Sequence, residues 1–137
     1  MGRPVYKPRY DTNLMRSYWT ALSKGHIELP ACAECGTWQW YPSDIPHCHP
    51  KAQLEWKKVS STGTVFAATV VHRCLLPGEH KDEAPYTNAL IELDGVKGPR
   101  LVVLLEEFAD PEKAAGTRVK LKSAKVDGLA LPVFVPA

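Results

Sequence analysis

The chain has 137 residues, of which 17 are lysine or arginine and 15 are aspartate or glutamate, and its net charge is +2 at pH 7. This length suits one average domain or two very small ones, and so small a net charge provides no strong field to attract a nucleic-acid backbone. No apolar run approaches the roughly 20 residues of a membrane span, and the N-terminus has no signal-peptide pattern, so we expect a cytoplasmic protein whose four cysteines are metal ligands or free thiols.

The first predicted element is an amphipathic helix of three turns, preceded by an extended arm rich in Pro and Arg over residues 1–10. Asp11-Thr12-Asn13 offers an N-cap, and Gly25 ends the helical pattern. Apolar side chains stand at helical spacing between them: Leu14, Met15, Tyr18, Trp19 and Leu22. Because so short a helix is marginal alone, we expect its apolar face to dock, either on its own chain or on a partner subunit.

A metal-binding motif follows a short alternating segment at residues 26–29. In Cys32-Ala33-Glu34-Cys35-Gly36, two thiols are separated by two residues, the spacing that lets both sulfurs reach one tetrahedral ion. This is half of a zinc ribbon. The second half is irregular, because His47-Cys48-His49-Pro50-Lys51 has one cysteine and a lysine where the partner thiol would stand.

An aromatic cluster and a strand complete the ribbon region. The ribbon has three aromatic residues within four positions, Trp38, Trp40 and Tyr41, which is many for a module with little core of its own. They either cover the metal site or form a binding face. The apolar residues of 54–59 alternate with polar ones, which predicts a strand leaving the ribbon.

Five further strands are predicted from Gly63 onward, over residues 64–71, 86–93, 101–105, 117–126 and 129–135. Asp94-Gly95 and Asp127-Gly128 are turn signals between them. Five short strands with such turns indicate a small barrel such as the OB-fold, although strand count does not distinguish it from an SH3-like barrel. We expect the charged loop over residues 75–84 to be mobile and to face substrate.

Several short motifs follow the capped helix in a defined order along the chain. They are Cys32-Ala33-Glu34-Cys35-Gly36-Thr37-Trp38, Leu54-Glu55-Trp56, Gly63-Thr64-Val65, Val71-His72-Arg73, Pro85-Tyr86, Leu93-Asp94-Gly95 and Leu131-Pro132-Val133-Phe134. In this order, the motifs resemble the zinc-ribbon and OB-fold proteins associated with acyl-CoA metabolism, the domain of unknown function 35 type. The resemblance covers nearly the whole chain from about Asp11. It implies a mainly β protein with an N-terminal arm and helix over residues 1–28, a rubredoxin-like zinc ribbon over 29–60 and a five-stranded OB-fold barrel over 61–137.

The sequence departs from the family pattern in the second half of the ribbon. When the pattern is matched backward from Trp56, its last cysteine falls on His49 and the one before it on Pro46, which leaves Cys48 displaced. Because imidazole is an acceptable zinc ligand, we still expect a structural zinc ion, held by Cys32, Cys35, Cys48 and one histidine, with His49 as the first choice and His47 as the second. The alternative is a ribbon that has lost its metal and is held by packing. A catalytic zinc is disfavoured, because no nearby carboxylate or histidine is placed to act as a base.

Members of this family are typically small, non-catalytic partners of thiolase-superfamily subunits, in ketothiolases, polyketide-type acyltransferases and the retro-aldolases of steroid side-chain breakdown. The resemblance therefore implies an accessory subunit that shares an acyl-CoA with its large partner. Cations and aromatic surface suit CoA phosphates and the pantetheine arm, and the candidates are His72, Arg73, Tyr86 and Arg100. No catalytic residue is expected, because Cys74, with His72 two positions before it, lacks an oxyanion hole and a direct hydrogen bond.

Two other functions remain as alternatives. A single-stranded nucleic-acid-binding OB-fold protein would use a basic groove with Trp38 and Trp40 as stacking platforms, and the small net charge ranks it second. A purely structural subunit differs from the first hypothesis only in whether it touches substrate. The candidate groove residues are Lys57, Lys58, Arg118, Lys120, Lys122 and Lys125.

Overall fold

The computed structural model describes residues 10–73, 84–122, 124–126 and 128–137, and the loop expected over residues 75–84, apart from Ala84, lies outside these ranges, as does Cys74. The described residues form a mainly β protein, as predicted, and none of their helices is long and apolar enough to cross a membrane. The elements are α1 (Arg16–Ser23), β1 (Ile27–Cys32), β2 (Leu54–Val59), β3 (Thr62–Val71), β4 (Tyr86–Leu93), β5 (Leu101–Leu105), a 3-10 helix (Pro111–Lys113), β6 (Arg118–Leu121), β7 (Ala124–Val126), β8 (Leu129–Leu131) and β9 (Val133–Pro136).

The helix α1 begins at Arg16, after the N-cap residue Met15, so it starts later than the predicted cap at Asp11-Thr12-Asn13 and is shorter than the predicted three turns. It packs on its own chain. The Met15 N–H lies 3.3 Å from Thr12 Oγ1, and the Thr12 carbonyl accepts hydrogen bonds from the N–H groups of Met15 and Arg16. Tyr18, Ala21 and Leu22 are buried. The apolar face of α1 is thus covered by the rest of this chain.

Strands β1 and β2 form a two-stranded antiparallel sheet, paired from Ile27 with Val59 to Cys32 with Leu54. Ile27 and Leu29 are fully buried and belong to the same apolar core as the barrel strands. The base of the ribbon is therefore built into the main core, and β1 ends at the first cysteine of the metal motif.

The barrel closes through the strand order β3-β4-β5-β9-β6. Strands β4 and β5 have the bounds that the sequence predicts, and alternate residues such as Ile91, Leu101 and Phe134 are fully buried inside the barrel. Strand β3 approaches β4 so closely at Gly63 that a Cβ there would overlap the Glu92 carbonyl oxygen. A glycine is therefore required at this position.

The last two predicted strands each divide in two, which corrects the sequence-based prediction. Residues 117–126 become β6 and β7, and residues 129–135 become β8 and β9. Pro132 lies between β8 and β9 and has no N–H to donate to a ladder, while its carbonyl accepts a hydrogen bond from Leu104. Strands β7 and β8 consequently pair only with each other, as a hairpin beside the barrel.

Candidate metal centre

Four potential metal ligands meet at the tip of the ribbon. The Sγ atoms of Cys32, Cys35 and Cys48 and one ring nitrogen of His49 all lie within 4.8 Å of one another. Cys32 is buried, His49 is half-buried, and Cys35 and Cys48 are exposed. The structure thus brings together the four residues that were predicted as zinc ligands from the sequence, and the histidine among them is His49 rather than His47.

The first half of the centre is a tight turn after β1. The Gly36 N–H donates to the Cys32 carbonyl at 2.8 Å, and the Cys32 N–H donates to the Thr37 carbonyl at 2.9 Å. Gly36 has φ of +73°, a conformation that glycine adopts without steric cost. This turn presents Cys32 and Cys35 on the same side, and the Thr37 hydroxyl lies 3.1 Å from Cys35 Sγ.

The second half supplies two adjacent residues, Cys48 and His49. Cys48 Sγ lies 3.3 Å from Cys35 Sγ, and His49 Nδ1 lies 3.6 Å from Cys32 Sγ. The two neighbours thus approach different cysteines of the first turn. After them, the His49 carbonyl accepts a hydrogen bond from Ala52 N–H, and the chain enters β2.

These distances fit a tetrahedral zinc ion. Zinc bonds of about 2.3 Å to sulfur and about 2.05 Å to nitrogen give tetrahedral edges of about 3.8 Å between two sulfurs and about 3.6 Å between sulfur and nitrogen. The observed separations of 3.3 Å and 3.6 Å are close to these edges. Three thiolates and one imidazole are also a common ligand set of structural zinc sites.

The electrostatics of the cluster favour a cation. Hydrogen bonds from Thr37, through its hydroxyl and its N–H, lower the pKa of Cys35 to about 6. A hydrogen bond with Cys35 raises the pKa of Cys48 to about 11, and a hydrogen bond with Cys32 raises the pKa of His49. The four groups are thus linked through hydrogen bonds, and a divalent metal would replace the protons of these bonds when it binds.

Three of the four predicted CoA-binding residues lie at one end of the barrel. His72 and Arg73 follow β3, and Tyr86, which starts β4, pairs with Val71 at the end of β3. His72 Nε2 lies 3.5 Å from Glu112 Oε1, and both side chains are largely exposed.

Arg100 lies at the opposite end of the same strands. It precedes Leu101, which pairs with Ile91, and the stretch of β4 from Ile91 to Tyr86 is about 17 Å long at about 3.4 Å per residue. The Arg100 guanidinium stacks 3.7 Å from the centre of the Phe66 ring, and its Nε lies 3.3 Å from Glu92 Oε1. The structure therefore separates Arg100 from the other three residues.

Several of the eight residues suggested for nucleic-acid binding make other contacts within the chain. Trp38 and Trp40 pack against the main core, and the Trp40 ring lies 4.9 Å from the Tyr18 ring. Arg118 makes two hydrogen bonds to the Asp94 carboxylate, of 2.7 Å and 2.6 Å, which lower the pKa of Asp94 to about 2. Lys122 is also paired, with Glu106 and Glu107 at 3.7 Å and 3.1 Å.

The sequence did not predict the ion pair between Asp94 and Arg118 or the contact of Thr37 with Cys35. In the sequence, Asp94 is evident only as a turn residue and Arg118 only as a strand cation, although Asp94 directly follows β4 and Arg118 begins β6, the two strands that pair with β3. Nothing in their sequence separation of 24 residues indicates that they meet. Thr37 was also not singled out, and its position directly after the first cysteine motif is the signal that would have found it.

Two family models match consecutive parts of the chain. Residues 19–55 match the rubredoxin-like zinc ribbon domain of ChsH2, and residues 56–123 match the C-terminal OB-fold domain of ChsH2. The junction between the matches lies within β2, where the chain leaves the ribbon. Combined with the Cys3His cluster, the first match identifies a structural zinc centre.

Two archaeal relatives carry the description "DUF35 domain-containing scaffold protein". The protein of Methanocaldococcus jannaschii is 31% identical over 123 residues, which cover 86% of this chain and 83% of the relative. The protein of Methanothermobacter thermautotrophicus is 27% identical over 117 residues, with 84% of each chain covered.

Two solved structures have similar folds. One, described as "Ltp2-ChsH2(DUF35) aldolase", has a chain that is 30% identical, with a TM-score of 0.78 and coverage of 95% of this chain and 98% of that one. The other is a DUF35-family protein of unknown function from Sulfolobus solfataricus, with a TM-score of 0.61 at 14% identity; the match covers 94% of this chain and 89% of that chain. At this identity, the similarity is evidence for the fold alone. By the relative that is 31% identical over 86% of this chain and by its two domain matches, the chain belongs to the DUF35 family, with a ChsH2-type zinc ribbon followed by a ChsH2-type OB-fold.

Proposed function

We propose that this chain is the non-catalytic small subunit of a heteromeric acyl-CoA thiolase or related acyltransferase complex. The observation that carries the proposal is the similarity, over 95% of this chain and 98% of the other, to a chain of the Ltp2-ChsH2(DUF35) aldolase. The archaeal relatives described as scaffold proteins support a role that depends on a partner. We infer that the partner is a large subunit of the thiolase superfamily, which would supply the catalytic residues.

Within this subunit, we assign the zinc ligands as Cys32, Cys35, Cys48 and His49. The role of the ion is structural, because the ribbon tip has little core of its own: over residues 33–53, Pro46 is the one buried residue. Zinc binding supplies folding free energy to such segments. The domain division at residues 29–60 for the ribbon and 61–137 for the barrel remains a prediction.

For CoA, we propose that His72, Arg73 and Tyr86 form the contact surface at their shared end of the barrel. Both Arg73 and His72 are exposed; Arg73 provides a cation and His72 a ring N–H donor for phosphate oxygens. The half-buried Tyr86 provides aromatic surface for the pantetheine arm. Arg100 is excluded from this contact surface, because it lies about 17 Å away along β4 and stacks on Phe66.

Co-purification tests the partner. The tagged chain is captured from its native cells, the bound proteins are identified, and zinc is quantified in the same sample. We expect a thiolase-like subunit in stoichiometric amount and about one zinc per small chain, from a single four-ligand site. Capture of the chain alone or with nucleic acid would contradict the proposal.

Steady-state kinetics of the reconstituted complex test the CoA contact. In the double variant Arg73→Ala/Tyr86→Ala, we expect the KM for the CoA thioester to rise about tenfold or more, since a hydrogen bond to a charged group contributes about 1.5–3 kcal/mol. Arg100→Ala is the matched control and should leave the KM unchanged. An unchanged KM in the double variant would assign the chain a scaffolding role without substrate contact.

A further inference from the structure

The second half of the metal centre reaches its place through a segment without regular secondary structure. Residues 40–47 form neither helix nor strand, yet they deliver Cys48 and His49 to the sulfurs of the first turn. Trp40 packs against the main core and Pro46 is buried, whereas residues 41–45 and 47 are exposed or half-buried. Between these two apolar contacts, polar contacts therefore contribute to fixing where the two ligands arrive.

The side chain of Gln39 makes these contacts along the segment. Its Nε2 donates to Ser43 Oγ at 2.7 Å and to the Ile45 carbonyl at 3.3 Å. Its Oε1 accepts a hydrogen bond from the His47 N–H at 2.9 Å. The Ser43 hydroxyl also donates to the Ile45 carbonyl at 2.7 Å, so one amide holds the segment at three points, the last of them adjacent to Cys48.

Gln39 is itself fixed to the strand that carries the first half of the centre. Its backbone N–H donates to the Pro30 carbonyl of β1 at 2.9 Å, two residues before Cys32. Its neighbour Trp38 forms a bridge with Ala31, and the Gln39 side chain is half-buried. One residue thus connects the strand that ends in Cys32 with the segment that ends in Cys48.

We propose that Gln39 is a positioning residue for the metal centre, which holds the 40–47 segment so that Cys48 and His49 stand at ligand distance from Cys32 and Cys35. This inference rests on the ligand set assigned above. Without the Gln39 amide, binding of the ion would have to order this segment itself, and the lost conformational entropy would reduce the affinity. Outer-shell partners of metal ligands typically contribute 10- to 100-fold in affinity.

The principal test compares Gln39→Met with His47→Ala in the full chain. Methionine has a similar volume and no amide. His47→Ala removes an exposed side chain of the same segment, whose one contact in this network is the 3.4 Å approach of its Nε2 to Ser43 Oγ, but leaves the hydrogen bond from the His47 backbone N–H to Gln39. Zinc dissociation constants are measured by competition with a chromophoric chelator. We expect an increase of about 10- to 100-fold for Gln39→Met and less than about twofold for His47→Ala.

Position-resolved alkylation of the zinc-loaded chain provides a readout that a general loss of stability would not reproduce. In Gln39→Met, iodoacetamide should modify Cys48 faster than in the unaltered chain, while Cys32 and Cys35 keep their protection. An unchanged zinc dissociation constant together with an unchanged Cys48 rate would overturn the proposal, and equal acceleration at all three cysteines would do the same.

Two further variants keep the result decisive. If circular dichroism shows that Gln39→Met does not fold, Ser43→Ala replaces it. This change removes the hydroxyl that accepts from Gln39 Nε2, donates to the Ile45 carbonyl and lies 3.4 Å from His47 Nε2. It leaves the direct hydrogen bonds of Gln39 to Ile45 and His47 in place. It should weaken zinc binding several-fold, and an unaltered affinity would refute the proposal. Cys48→Ser tests the ligand set separately: retention of one zinc at unaltered affinity would reject that set whatever the Gln39 result.

Discussion

Replacement of Leu22 by alanine tests whether the apolar face of α1 serves the chain itself. Leu22 is fully buried in the core that joins α1, β1 and the barrel. Truncating a leucine at such a position removes three carbon atoms from apolar surroundings and leaves a cavity, which costs about 3–4 kcal/mol. Against a total stability of about 5–15 kcal/mol, this is a large part of the folding free energy.

The measurement is urea-induced unfolding of the isolated chain, followed by tryptophan fluorescence, with Leu14→Ala as the matched control. Leu14 precedes the same helix but is 40% exposed, so its truncation should cost less than about 1 kcal/mol. If Leu22→Ala lowered the free energy of unfolding as little as Leu14→Ala does, the docking of α1 on its own chain would be refuted. The apolar face of α1 would then need a partner subunit to cover it.

Three further predictions concern the metal, pH and β3. Chelation of zinc should accelerate amide hydrogen exchange over residues 33–53, whereas the fully buried Ile27 and Leu29 should keep their protection. Because Arg118 lowers the pKa of Asp94 from 3.8 to about 2, this carboxylate stabilises the fold above pH 4, and the contribution is lost as the pH falls toward 2. Asp94→Asn should lack this part of the pH dependence in thermal unfolding. Gly63→Ala should lower the thermal midpoint, since its Cβ would overlap the Glu92 carbonyl, and an unaltered midpoint would contradict this close approach.

Local patterns in the sequence were sufficient to predict much of the fold. The first cysteine pair, the bounds of β4 and β5 and the existence of α1 each depend on residues within one short window, through ligand spacing, alternation of apolar residues or helical spacing. The fourth zinc ligand required more, because the irregular second half follows no standard spacing. The resemblance to a family, rather than spacing, selected His49 over His47.

Features that depend on distant parts of the chain could not be predicted from such windows. Alternation of charged and apolar residues over 118–122 led to one predicted strand over residues 117–126. In the structure, β9 lies beside β6 and pairs with it only as far as Leu121, after which the chain leaves the barrel. The grouping of His72, Arg73 and Tyr86 without Arg100 likewise depends on strand register. The sequence contains the residues of this surface but does not indicate which of them are neighbours.

The barrel cannot close until the last of its five strands in chain order, β9, has left the ribosome. β9 lies between β5 and β6, parallel to β5 and antiparallel to β6, so the earlier strands have no partner at this edge until residues 133–136 are made. About 30 residues separate β5 from β9, which corresponds to roughly 2–6 s of synthesis at 5–20 residues per second. During this interval, Phe134 is not available to pack against the apolar residues of β5, which are Leu101, Val103 and Leu105. The unpaired edge of β5 can then bind chaperones or associate with other chains.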